Sequence, residues 1–415
     1  MTPPDGDTPE QTVVQRIDGR RPLGGKARLS LALAVAVIAG LSSVFILEYL
    51  WPPYIFLSVI WAVTCAYAAV ISKRPSAKVA LLSLASVFFV LGLYETYLFS
   101  QIVERRAGKS LIATDGAGNA REMSAPNDVL GYAPKPSQAG RFTLTHDGNP
   151  IFGHGYTIGP NGLRVSPPHE AVADVPCALF FGGSFTFGTG VEDDEALPYV
   201  AGILSEGRYQ VYNFGYRGYG PHQMLAALES GLVDSVIECV PTVVIYQALV
   251  GHMTRSVGLS DWDTHGPRYV LADTGEAIRR GNFDDFDNPL VGFLQGILKK
   301  SLTVMALGYG RYTNYKMDLM VAILDKSRNL VAERYPGSEF HVIFWDACAT
   351  KEPEPVARIL IDKIVRKNFQ LHLVSTIVVD ICAKRDEYMI QGDGHPNKTA
   401  HDKIARYVVR EIFRD

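Results

Sequence analysis

The sequence predicts an α/β protein with a parallel five-stranded sheet, preceded by three transmembrane helices and a small β-region. Three observations predict this. Residues 29–100 are very apolar, whereas the remainder has the mixed composition of a folded, water-exposed domain. From about Val175 onward, short apolar runs alternate with helical stretches. Continuous apolar strands separated by helices argue for a parallel sheet covered on both faces. The Gly-, Ser- and His-bearing motifs fall just after such runs, and sites in these sheets sit at the carboxyl ends of strands.

Residues 1–28 are polar, carry several Pro and Gly, and read as a disordered cytoplasmic tail. The spans are then expected at Leu29 to about Leu50, about Tyr54 to Ser72, and about Val79 to Ser100. Each is roughly 20 residues long, which matches a hydrocarbon core of about 30 Å. Two further spans after the first argue against a simple cleaved signal peptide. Arg16, Arg20, Arg21, Lys26 and Arg28 precede the first span, and Lys73, Arg74 and Lys78 lie between the second and third. The turn Trp51-Pro52-Pro53 carries no Lys or Arg. The positive-inside bias therefore places the tail and second turn in the cytoplasm and exports the chain beyond about Gln101. Trp51, Tyr54, Tyr94 and Tyr97 fall near span ends, where aromatic rings favour the interface.

Residues 101–170 read as a connector and small β-region, with a hairpin expected over Gly153 to Val165 around Pro160-Asn161-Gly162. Residues 171–415 form the main domain. Its strands are expected at Cys177–Phe181, Tyr209–Asn213, Thr242–Ala248, Glu339–Trp345 and Leu371–Val379. Helices are expected at Leu225–Val236, Lys316–Ala332 and Ala400–Phe413. An insert of about residues 256–317 carries Trp262, His265, Tyr269, Arg279 and Arg280, and connections this long are often lids or specificity elements.

A net charge of −3 shows no basic excess, which excludes a nucleic-acid partner on electrostatic grounds. No metal-ligand spacing, phosphate loop or dinucleotide fingerprint occurs, so no cofactor is expected.

Two motifs carry chemistry. Gly182-Gly183-Ser184-Phe185-Thr186-Phe187-Gly188 directly follows the first strand. A nucleophilic Ser needs an exposed hydroxyl beside free backbone N–H groups, and the two glycines allow a tight turn and close approach. A helix N-cap is the plainer role for such a Ser. Near the other end stands Gly392-Asp393-Gly394-His395-Pro396-Asn397. His is the usual base for Ser, and a carboxylate orients it and stabilises its cation. Alone, this stretch also reads as a surface loop with a helix cap.

Taken together, the motifs resemble the SGNH (GDSL-like) hydrolase superfamily over residues of about 175–413. The blocks are G-G-S-F-T-F-G at 182–188, Asn213-Phe214-Gly215-Tyr216-Arg217-Gly218-Tyr219-Gly220, and D-G-H-P-N at 393–397. The resemblance implies a flavodoxin-like sheet and acyl-ester chemistry with Ser184 as nucleophile, His395 as base and Asp393 as its partner. It implies an oxyanion hole of the Ser184 N–H, the Gly218 N–H and an Asn side chain. Here the sequence departs from the pattern: Ile245 to Arg255 contains no Asn, and Gly251-His252 stands where Asn-Asp is usual. Gln247, His252 or a backbone N–H near Gly251 are the substitutes it offers. Only Gly394 separates Asp393 from His395, where many members have two residues. In the implied strand order 2-1-3-4-5, Cys177 and Cys239 start neighbouring strands, and Cys348 and Cys382 follow the ends of two others. Both pairs are therefore candidate disulfides in an exported domain. Cys65 lies within the second span and reads as a small apolar residue.

The expected function is a serine esterase anchored by three spans in the cell membrane, its catalytic domain extracytoplasmic. It would act on acyl esters, O-acetyl included, of an envelope glycan or lipid, in company with polysaccharide machinery. An O-acyltransferase using the same site, or an inactive glycan-binding protein, are the alternatives.

Overall fold

The computed structural model describes residues 53–106, 109–114, 123–168, 175–260, 262–285, 301–306, 314–350 and 352–413. The expected tail and first span, residues 1–50, lie outside the described residues. The chain divides into two compact units.

The first unit holds two helices, α1 (Pro53–Ile71) and most of α2 (Pro75–Arg106), joined by three residues. Close packing is permitted by a small residue: a Cβ on Gly92 would lie 3.1 Å from the Ser58 Cβ. Trp61 and Phe88 stack at 5.9 Å. Among the described residues, Pro75–Gln101 is the one helix long and apolar enough to cross a membrane; the second expected span contributes the shorter apolar stretch Leu57–Ile71. Val79, Val87, Phe89, Val90 and Leu93 are exposed on α2. Glu95 is buried within this apolar helix and accepts from the Ser301 hydroxyl at 2.5 Å and the Leu302 and Thr303 N–H groups at 3.1 and 2.9 Å. Those donors satisfy a carboxylate that is costly to leave unpaired in apolar surroundings.

The second unit is an α/β domain. Five parallel strands, β6 (Cys177–Gly182), β7 (Gln210–Asn213), β8 (Pro241–Leu249), β11 (Glu339–Trp345) and β12 (Gln370–Leu373), lie in the order β12-β11-β8-β6-β7. Counted along the chain this is the 2-1-3-4-5 order. Every residue of β6 is buried. Its Cys177, Leu179 and Phe181 join the core under α5 (Pro221–Glu229), α7 (Asn314–Arg334) and α8 (Glu354–Arg366), while Ala178 and Phe180 join the opposite core. The opposite core also takes Leu197 and Ala201 of α4 (Leu197–Leu204) and Ala400, Ile404 and Val408 of α9 (Lys398–Glu411). A helix layer on each face is the reason these strands are apolar throughout rather than alternating. Disulfides join Cys177 to Cys239 and Cys348 to Cys382, and Cys65 is a free, buried thiol.

Three expected elements differ. The fifth strand stops at Leu373 and gives way to a helical turn, Val374–Ile377, because Asp346 captures Ser375 through its N–H at 3.2 Å and its hydroxyl. The helix expected to reach Val236 ends at Glu229, just before Gly231 at φ +75°. The hairpin expected at Gly153–Val165 is displaced. Strand β5 (Asn149–Ile158) pairs instead with the preceding β4 (Gln138–His146), turning at Asp147 and Gly148, both at positive φ. The turn at Pro160 to Gly162 closes only a single bridge, Ile158 to Arg164. The small β-region also includes β1 (Lys109–Thr114), which joins β4, and a separate hairpin of β2 (Ser124–Asn127) and β3 (Gly131–Pro134). The insert contributes the hairpin of β9 (Pro267–Leu271) and β10 (Ala277–Asn282).

Candidate active site

Strand β6 delivers Ser184 to the carboxyl end of the sheet as the first residue of the short helix α3 (Ser184–Phe187). Its N–H lies at a helix start, where no intrahelical acceptor exists. The two preceding glycines are required by neighbouring protein atoms. Gly182 has φ +149°, and a Cβ there would lie 2.2 Å from the Thr186 Oγ1. A Cβ on Gly183 would lie 2.6 Å from Arg255 Nη1, 3.1 Å from His252 Nε2 and 3.1 Å from the Tyr219 carbonyl.

The loop after Ser184 is fixed by a buried cation. The Arg164 guanidinium donates from Nη1 to the Phe187 and Gly188 carbonyls at 2.6 Å each, from Nη2 to Val191 at 2.9 Å, and from Nε to Asp193 at 2.8 Å. It also lies 4.7 Å over the Tyr156 ring. Arg164 belongs to the small β-region and bridges Asn213 at the edge of the main sheet. That region therefore buttresses the loop after Ser184. Replacing Arg164 by Met should lower stability by about 3 kcal/mol or more, because it strands the Phe187, Gly188 and Val191 carbonyls in the interior and removes the cation from the half-buried Asp193 carboxylate. Urea unfolding in detergent checks this, and a loss below about 1 kcal/mol would contradict it.

His395 lies on the loop between β12 and α9. Its Nδ1 is held by the Asp393 carboxylate. One intervening residue suffices because Gly394 adopts φ +96° and folds the carboxylate back onto the ring. Asn397 caps α9, its side chain accepting the Thr399 and Ala400 N–H groups at 3.0 and 3.2 Å, and so anchors the same loop to a helix. The Phe185 ring packs edge-on against the His395 ring at 5.4 Å and against Trp345 at 5.0 Å. Ser184 and His395 line one cleft of about 730 Å³ with Ser124, Tyr132, Thr189, Tyr216, Arg217, Gly218, Arg255 and Trp262.

Gly218 faces this cleft at φ +84°. Its carbonyl accepts from the Trp262 indole at 3.3 Å, and the preceding Arg217 carbonyl accepts from the Tyr132 hydroxyl at 2.8 Å. A Cβ at Gly218 would lie 2.4 Å from Trp262 Nε1 and 2.5 Å from the Tyr132 hydroxyl. The insert and the β2–β3 hairpin thus hold this loop from two sides.

The substitutes proposed for the missing Asn are not brought to the cleft. Gln247 is buried, and its Oε1 accepts from the Trp345 indole at 2.9 Å. Gly251 faces Leu249 and Glu352. His252 is buried behind Gly183, its Nδ1 2.6 Å from the Tyr246 hydroxyl. Burial, then the Arg255 cation, hold its imidazole well below the ordinary His range, so it stays neutral. The residue of this loop that does line the cleft is Arg255, the last of α6 (His252–Arg255). Its Nη1 donates to the Tyr219 carbonyl at 2.7 Å, and its guanidinium lies 5.9 Å from the Trp262 ring centroid. Sequence reasoning passed over Arg255, Tyr132 and Ser124 as site residues; their spacing carries no motif, and only the fold brings them to Ser184. Among the described residues no cluster suited to holding a metal ion occurs.

No protein-family model matches the chain, and no curated protein does. Among solved structures, the chain is similar to a G-D-S-L family lipolytic protein from Desulfitobacterium hafniense, at 15% identity and TM-score 0.33, over 56% of this chain and 98% of that one. It is similar to a two-domain esterase active on acetylated mannans, at 15% identity and TM-score 0.32, over 57% of this chain and 48% of that one. It is also similar to a carbohydrate esterase, at 10% identity and TM-score 0.33, over 74% of this chain and 83% of that one. At such scores these likenesses carry no weight, and the functional reading rests on the residues of the cleft.

Proposed function

We propose that the chain is a membrane-anchored serine esterase that removes acyl groups, O-acetyl among them, from an envelope glycan or lipid outside the cytoplasm. The observation that carries this reading is the pairing of His395 with Asp393 in the cleft that Ser184 lines. With Nδ1–H given to the carboxylate, Nε2 is left as the basic nitrogen. Ser184 Oγ attacks the ester carbonyl and passes its proton to His395. The oxyanion forms beside the Ser184 and Gly218 N–H groups, and the departing alcohol takes the proton back from His395. Water then repeats the sequence on the acyl-enzyme. A sugar hydroxyl in place of that water makes the same site an O-acyltransferase.

Two disulfides support an oxidising compartment for the domain. The apolar helix Pro75–Gln101, with Lys73, Arg74 and Lys78 at its start, supports an anchor whose carboxyl end faces outward. The test is labelling with a fluorophosphonate probe. Wild-type protein should react covalently and the Ser184→Ala variant should not; equal labelling of both would refute the nucleophile. Product analysis with acetylated oligosaccharide, with and without an acceptor sugar, separates hydrolysis from transfer.

A further inference from the structure

The loop after β8 supplies a cation to the nucleophile. Three observations place the Arg255 guanidinium beside the backbone around Ser184 and Gly218. Its Nη1 lies 2.6 Å from the position a Cβ would take on Gly183, the residue before Ser184. That same nitrogen donates to the carbonyl of Tyr219, the residue after Gly218. The guanidinium also sits near Trp262, whose indole donates to the Gly218 carbonyl. Arg255 is therefore wedged between the two backbone segments whose N–H groups flank a developing oxyanion. Among the described residues no carboxylate forms an ion pair with it, and none lines the cleft. A guanidinium has five N–H donors, and the Tyr219 carbonyl takes only one, so others remain for a ligand.

Its placement is also constrained. The Tyr219 carbonyl and the Trp262 ring hold the guanidinium, so little reorganisation accompanies charge development, which is what makes a fixed donor effective. The neighbouring polar groups do not compete for this role. His252 Nε2 lies 3.1 Å from the same Cβ position on Gly183, but His252 is fully buried and does not line the cleft, and the Gln247 side chain is held by Trp345.

Building on the esterase reading, we infer that Arg255 is a third oxyanion donor, a guanidinium standing where an amide side chain would otherwise serve. In the addition step the carbonyl π pair moves onto oxygen as the Ser184 Oγ–C bond forms. Arg255 lowers the energy of that charge without exchanging a proton, and the pair returns to re-form C=O as the alcohol leaves.

The test uses full-length protein in detergent micelles, p-nitrophenyl acetate as an uncharged ester, and a fluorophosphonate probe. The Arg255→Met variant should keep KM within about threefold and lose about 100-fold or more in kcat, as removal of one oxyanion donor does elsewhere. Its rate of phosphonylation at Ser184 should fall by a comparable factor. Arg255→Lys keeps the charge but loses the planar fork, and should fall between wild type and the Met variant. It carries the test if the Met variant unfolds. Wild-type kcat in either folded variant, or a loss confined to KM, overturns the inference and makes Arg255 a substrate-binding cation. Ser184→Ala separates the two levels. If it retains turnover, the nucleophile reading itself fails; if it is inactive while Arg255→Met runs at full rate, only the role of Arg255 fails.

Discussion

Replacing His395 by Ala should lower kcat/KM on an ester substrate by about 10⁴-fold or more, with the fold intact. The expectation follows from geometry. His395 is a loop residue whose Nδ1 is held by Asp393 and whose ring contacts Phe185 at 5.4 Å, so truncation removes the base without opening a core. Asp393→Asn should have an effect of similar order, about 10⁴-fold, because an amide donates to Nδ1 and leaves the proton on Nε2, the nitrogen that must accept from Ser184. The double variant His395→Ala/Asp393→Asn should be barely worse than either single one, since the pair acts as a unit. A full additive loss would show that Asp393 acts apart from His395. Retention of more than about a tenth of the activity in His395→Ala would remove it from the mechanism.

Acidification should destabilise the domain, and His401 should account for much of the loss. His401 is fully buried, and its Nδ1 accepts the Leu197 N–H at 3.0 Å, tying α9 to the start of α4. Protonating Nδ1 would set two N–H groups against each other in the core. Burial, then the Arg164 cation and His395, depress its pKa from 6.5 to about 3. In the unfolded chain the imidazole regains its ordinary value. Between these values the unfolded state holds the extra proton, so stability rises with pH across the window and falls as pH drops below about 6.5. At about 1.4 kcal/mol for each pH unit, the full window amounts to about 5 kcal/mol, and acidifying from pH 6.5, where the unfolded imidazole is already half protonated, to 4.5 costs about 2 kcal/mol. Neutral, buried His252 adds to the loss in the same direction. Denaturant unfolding at pH 6.5 and 4.5, for wild type and His401→Gln, measures this. The variant is less stable at neutral pH but should lose about 2 kcal/mol less on acidification; identical pH slopes would exclude His401 as the cause.

His395 stood out in the sequence because Asp-Gly-His-Pro-Asn near the carboxyl end pairs with Gly-Gly-Ser after a strand. His401, six residues later, looked like any polar helix residue; its burial depends on α9 packing against α4.

What the sequence determined by itself is chemistry encoded locally. The apolar runs of β6, β8 and β11 mark the strands, because strands buried on both faces leave no polar alternation. The length and apolarity of Pro75–Gln101, the positive residues before it, and the motifs around Ser184 and His395 are equally local. What only the tertiary structure decided is which side chains converge. Gln247 lies within the third sheet strand and Arg255 six residues beyond its end, and the sequence offered Gln247, His252 and a backbone N–H near Gly251 but not Arg255. Side chains alternate along a strand, so Gln247 is committed to the face where Trp345 binds it, whereas the α6 turn swings Arg255 back beside Gly183. The one-residue gap between Asp393 and His395 likewise suffices only because Gly394 takes a left-handed conformation that folds the loop. Ser184 and His395, which line one cleft, were therefore legible in one dimension, and the groups that hold their loops and share that cleft were not.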